Sequence, residues 1–138
     1  MSASLQDTEE MRAVVGWLSE HAAAPVGLAQ VFAELGLEEL GGNYTDTELP
    51  HGDAFLLAAA VAAVAARAKK NSDTVDLSEW NYSVQVTLHS DVPRLTQLAT
   101  AMKYFALDPE EHRVAQRWGE DTVTALADEA EALRGRLD

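Results

Sequence analysis

From Ala54 to Ala66 the chain runs Ala-Phe-Leu-Leu-Ala-Ala-Ala-Val-Ala-Ala-Val-Ala-Ala without one polar residue. Alanine forms helix more readily than any other residue and loses no side-chain entropy in doing so, so this stretch predicts a helix. A helix that is apolar all round has no face for water and needs neighbours on most sides. It is too short to cross a bilayer, which takes about 20 apolar residues. The Arg67-Ala-Lys-Lys-Asn71 segment behind it puts cations at the negative end of the helix dipole. The expectation is a central buried helix whose small side chains let neighbours approach closely.

The flanking segments alternate between two periods. Asp7-Thr-Glu-Glu10 has the form of a capping box, and Met11, Val14, Val15, Leu18 and Ala22 then share one helical face, with Trp17 beside it. That helix should end near Ala23, because Pro25 disfavours helical geometry at Ala24. Pro25 suits the first turn of a second helix, whose stripe is Leu28, Val31, Phe32 and Leu35. Gly36 interrupts it, Leu37 and Leu40 continue the apolar count, and Gly41-Gly42 end it. Tyr44 to Leu49 is loop-like in composition and able to pair as a short strand. His51-Gly-Asp53 leads into the central helix, with Asp53 as its cap.

From Trp80 to His89 the period changes to two. Trp80, Tyr82, Val84, Val86 and Leu88 point one way, and Asn81, Ser83, Gln85, Thr87 and His89 the other, which predicts a half-buried strand. Val75 and Leu77 suggest another strand, separated by a break in parity at Ser78-Glu79. Ser90-Asp-Val-Pro93 is a helix start with Val92, Leu95, Leu98, Met102 and Phe105 as its stripe. Asp108-Pro-Glu-Glu111 opens a last helical segment, in which Val114, Trp118, Leu126, Ala130, Leu133 and Leu137 recur at helical steps. The fold class expected is mainly α with a minor β element (α+β): about five helices around the Ala-rich helix and one to three short strands. No repeat, linker or boundary divides residues 1–138, so a single globular domain is expected.

Charge changes the picture most. Against 10 Lys and Arg stand 23 Asp and Glu, a net charge of −13. Phosphate binding needs clustered cations, so nucleic acid and anionic lipid are disfavoured partners, while basic proteins are favoured ones. Cysteine is absent, which excludes disulfides, thiolate metal sites and a cysteine nucleophile. No signal peptide is evident at the start, and a cytoplasmic protein is the expectation.

Tests for site chemistry return little. No phosphate loop is present, and Gly41-Gly42 is the sole glycine pair. The 4 histidines are His21, His51, His89 and His112, none at metal-binding spacing with another. Glu48-x-x-His51 has a di-iron spacing, but Pro50 excludes the helix it requires. A calcium loop over Asn71 to Glu79 fails, with Val75 at a ligand position and no turn glycine. His89-Ser90-Asp91 are adjacent and cannot converge as a catalytic triad. No metal, cofactor or catalytic residue is therefore assigned. Leu28 to Leu37 resembles the opening of a helix-turn-helix motif, yet the following Glu38-Glu-Leu-Gly-Gly42 is acidic where a recognition helix meets phosphate.

Aromatic anchors rimmed by charge are what protein interfaces use as hot spots. Trp80 and Tyr82, beside Asp76 and Glu79, have that pattern, and Tyr104 lies just off its helix's apolar stripe. The function expected is a non-catalytic acidic protein-interaction module: an adaptor, inhibitor or immunity-type protein with a basic protein partner. Two alternatives stay open, a small enzyme or ligand-binding protein with a pocket near His51 and His89, and a helix-turn-helix-like regulator. Because Trp80 to His89 carries no charge or proline to blunt an edge, pairing of this strand with a second copy in a twofold homodimer is also expected.

Overall fold

Ala54–Ala65 is a helix, α3, and from Phe55 to Ala65 all of its residues are buried. A computed structural model describes residues 8–37, 48–49, 52–67, 72–80, 82–107 and 120–137. Each of Phe55, Leu56 and Leu57 is withdrawn from water completely, a gain of about 1.5–3 kcal/mol apiece. The alanines that follow them let neighbouring elements approach closely. Helix α1 (Glu9–Glu20) packs on α3, as do α4 (Val92–Leu107) and α5 (Glu120–Leu137), and α4 also lies along α5. With α2 (Leu28–Leu35), the described residues hold five α-helices and a small sheet, a mainly α fold with a minor β element.

The sheet has the order β1-β5-β4. Strand β4 (Ser72–Asp76) runs antiparallel to β5 (Gln85–His89), with Thr74 opposite Thr87 and Asp76 opposite Gln85. Strand β1 (Val26–Gly27) is parallel to β5, with Val26 opposite Leu88 and Gly27 opposite His89. A separate two-residue hairpin pairs β2 (Glu48–Leu49) with β3 (Gly52–Asp53) just before α3. Of the Tyr44–Leu49 candidate, Glu48–Leu49 is a strand whose partner is the chain beside it, and residues 44–47 lie outside the described residues.

Several expectations are corrected here. The first helix is capped by Thr8, whose side chain accepts from the Met11 N–H at 3.1 Å; Asp7 lies outside the described residues. That helix ends at Glu20 rather than Ala23, where His21 N–H turns back to Leu18 O at 3.1 Å. Pro25 does not open a helix. Val26, buried and paired with Leu88, is drawn into the sheet instead, and α2 begins after Gly27. Gly36 adopts the left-handed conformation (φ 77°), which only glycine takes without cost, and so ends α2. Leu37 N–H returns to Phe32 O at 2.8 Å, and Leu37 is buried in the turn that follows; Leu40 and Gly41-Gly42 lie outside the described residues.

The long alternating run is only half a strand. Leu77–Trp80 forms a 3-10 turn, and β5 starts at Gln85. Leu77 N–H donates to Val84 O at 3.0 Å and Tyr82 N–H to Leu77 O at 3.2 Å, so residues 77–84 are the connection of the β4–β5 hairpin. The facing survives the change of backbone: Trp80, Val86 and Leu88 are buried, and Tyr82 and Val84 half-buried. Strand β5 is also central, with β4 along its length on one side and β1 at its C-terminal end on the other. On the β1 side only Leu88 and His89 are paired, and among the described residues Gln85–Thr87 have no strand neighbour there.

Helix α4 starts where its signal lies, with Asp91 accepting from Arg94 N–H at 3.0 Å. Val92 does not join the buried stripe and is 69% exposed. At 100° per residue it sits roughly a third of a turn from the face carrying Leu98, Ala101 and Met102. In α5, Leu126, Ala130 and Leu133 are buried as the spacing predicts, together with Val123 and Ala127. The Asp108 start signal, Val114 and Trp118 lie outside the described residues.

Candidate protein-binding surface

The hairpin connection carries the residues singled out by sequence. Asp76 ends β4 exposed, and its carboxylate accepts from Ser78 N–H at 2.9 Å. Hydrogen bonds from the Ser78 backbone and then from its hydroxyl hold the Asp76 carboxyl below its ordinary value. Asp73 does the same for its neighbour, accepting from Thr74 N–H at 2.9 Å. These acids thus tie down the backbone of the hairpin rather than surround an ion. Among the described residues no group of His, Asp or Glu could hold a metal.

Trp80 and Tyr82, two residues apart, have different surroundings. Trp80 is 9% exposed, closing the core beneath Arg67, whose guanidinium lies 4.7 Å above the indole centroid. The same guanidinium donates to Ala63 O at 2.5 Å, so Arg67 covers the C-terminus of α3 and the lid of the core together. Little of Trp80 is left for a partner. Tyr82 is half-buried and extends over α1, where a methyl group added at Gly16 would lie 3.2 Å from the Tyr82 hydroxyl oxygen. The backbones of Glu79 and Tyr104 are placed in the turn and in α4, but their side chains lie outside the described residues.

Helix α1 adds two residues that sequence reasoning passed over. Its buried stripe is Met11, Val14, Val15 and Leu18; Trp17 and His21 stand beside it. Their rings stack at 4.2 Å between centroids and 24° between planes. A carbonyl can only accept, so His21 Nδ1 donates to Trp17 O at 2.8 Å and fixes the stack. The i, i+4 spacing of these two rings off the apolar face was the available signal. Glu20, exposed, follows Trp17 by one turn, and Arg12, also exposed, precedes Gly16 by one turn.

The outward face of the sheet is polar. Thr74, Asp76, Gln85 and His89 are exposed there and Thr87 is partly so, with no cation or large apolar group among them. His89 therefore faces solvent, while His51 lies outside the described residues. Arg94 pairs with Asp91 at 3.2 Å and Arg134 with Glu131, one helical turn apart in each case. Arg134 also holds the Glu131 carboxyl below its ordinary value by hydrogen bonding. Arg67 is held over the core by Trp80 and the Ala63 carbonyl. The acidic segment proposed as a recognition helix, 38–42, lies outside the described residues.

No described helix is long and apolar enough to cross a membrane. Comparison with curated proteins finds no match, and comparison with solved structures finds none either. Residues 2–137 match the family model described as Immunity protein 68.

Proposed function

The chain belongs to the Immunity protein 68 family, an immunity-type protein whose work is to bind a protein partner, a toxin; from that premise we propose that it neutralises the toxin by occlusion, without chemistry of its own. The single observation that carries this reading is the family match over nearly the whole chain. The charge supports the finer part. A net charge of −13 favours a basic toxin and speeds encounter by long-range attraction. Action in the cytoplasm belongs to the same reading. So does the absence of a cofactor requirement. A twofold homodimer belongs to the same reading, since β1 covers β5 only at Leu88 and His89.

Co-expression with candidate toxin domains from the same genome tests it. Growth should be restored by this chain for its cognate toxin, and the two should co-elute as a stable complex. The dissociation constant should rise steeply between 50 and 500 mM salt, where the screening length falls from roughly 14 to 4 Å. Protection without a stable complex would overturn binding as the mechanism. A salt-independent affinity would leave binding standing and remove the basic partner.

A further inference from the structure

We propose that the Trp17–His21 stack, with Tyr82 and Glu20 around it, is the spot on which the toxin docks, and that it receives a segment bearing arginine or lysine. The proposal rests on the toxin-binding reading above and gives it a location. Three observations carry it.

The stack stands outside the fully buried stripe of α1. The core side of α1 is supplied by Met11, Val14, Val15 and Leu18, whereas His21 is exposed and Trp17 only half-buried. Interfaces draw most of their binding energy from a few Trp, Tyr and Arg residues that are anchored in the fold yet keep a face for the partner. Trp17 and Tyr82 are anchored in that way, each packed against the core and neither fully covered.

The site is also ordered before anything binds. The ring stack and the 2.8 Å bond from His21 hold Trp17 in place. Gly16 lets the Tyr82 phenol lie against the helix one residue away from it. Side chains already immobilised lose little entropy on association.

Charge then selects the occupant. Glu20 stands one turn beyond Trp17 and next to His21, so a guanidinium laid on the indole could reach its carboxylate. Arginine stacks on aromatic faces and pairs with carboxylates at once. Arg12, the one basic residue of α1, lies in its first turn, well around the helix from Trp17 and His21, and leaves the site without a cation of that helix. The outward face of the sheet has one carboxylate, Asp76, and no Trp, Tyr or Phe among its described residues.

The test uses the full chain and the toxin it neutralises in co-expression. Trp17→Ala should weaken the complex about 30-fold or more, His21→Ala about tenfold, and Glu20→Lys more than Glu34→Lys, which reverses an exposed charge on α2. Gln85→Lys on the outward sheet face should stay within about threefold. Because Trp17→Ala also removes core contact, His21→Ala and Glu20→Lys at exposed positions keep the test sound if that variant unfolds. Full affinity in both of these, with melting unchanged, would overturn the docking site. Equal losses from Glu20→Lys and Glu34→Lys would reduce it to general charge and overturn it as well. If the unmodified chain binds no toxin at all, the reading beneath it falls first.

Discussion

At Gly16 the absence of one methyl group decides where a tyrosine lies. Alanine there would gain about 0.5–1 kcal/mol of helix propensity, set against a 3.2 Å contact with the Tyr82 hydroxyl. That oxygen is the far end of a half-buried side chain and can yield by a few tenths of an ångström. Gly16→Ala should therefore raise the melting temperature by about 2 °C, and a fall would show the phenol to be rigidly held. A second prediction concerns Asp76, whose folded carboxyl sits below the ordinary 3.8 because Ser78 donates to it. A depressed carboxyl stabilises the fold fully above its unfolded value and loses that share as pH falls through the folded one. Asparagine does not titrate, so the stability of Asp76→Asn in urea melts should fall less steeply than wild type below about pH 4. Parallel slopes would show that the turn bond is not made in solution. Single residues were the least legible part of the sequence. Alternation placed Trp80 and Tyr82 on one face but could not say that Arg67 would cover the first and Gly16 accommodate the second. Thr8 and Asp7 are adjacent and both able to cap, and composition alone does not choose between them.

Elements were more legible where their signal is long. The Ala54–Ala66 run could be little other than a buried helix, and α3 is buried along nearly all of it. Overpacking should show there first. Ala60 is fully buried and Ala63 is 5% exposed, so leucine at either should cost about 1–3 kcal/mol. Ala33→Leu on the exposed side of α2 supplies the comparison, and equal melting temperatures for all three variants would contradict the packing around α3. Short elements followed other rules. Two residues of β1 form a strand only because Leu88 and His89 lie beside them, a partner no local pattern announces. The ten-residue alternation from Trp80 is likewise compatible with a strand or with a turn that keeps the same facing, and the hairpin connection chose the turn for its first part. Val92 shows the limit of counting apolar residues, since its angle around α4, not its hydrophobicity, leaves it in water.

For the molecule as a whole, composition carried more than any motif. The charge and the absence of cysteine led to an interaction module, and the family agrees that a protein partner is bound. What composition could not show is a docking place, because Tyr82 reaches Gly16, the neighbour of Trp17, only once α1 and the β4–β5 hairpin have packed. That dependence on distant chain has a further effect during synthesis. Val26 leaves the ribosome long before Leu88, its partner in the sheet, and α3 is complete before α4 and α5 exist to cover it. At 5–20 residues per second, the interval from Val26 to Leu88 is roughly 3–12 s, and the apolar run, complete at Ala66, is without α4 and α5 until after Leu88. A fragment ending at Asp91 should accordingly melt without a cooperative transition and be cleaved rapidly by protease, and a sharp melt from it would show that the N-terminal part folds alone. A nascent copy of this protein thus protects nothing, and a cell that makes the toxin and its antidote together is defended only by chains already released.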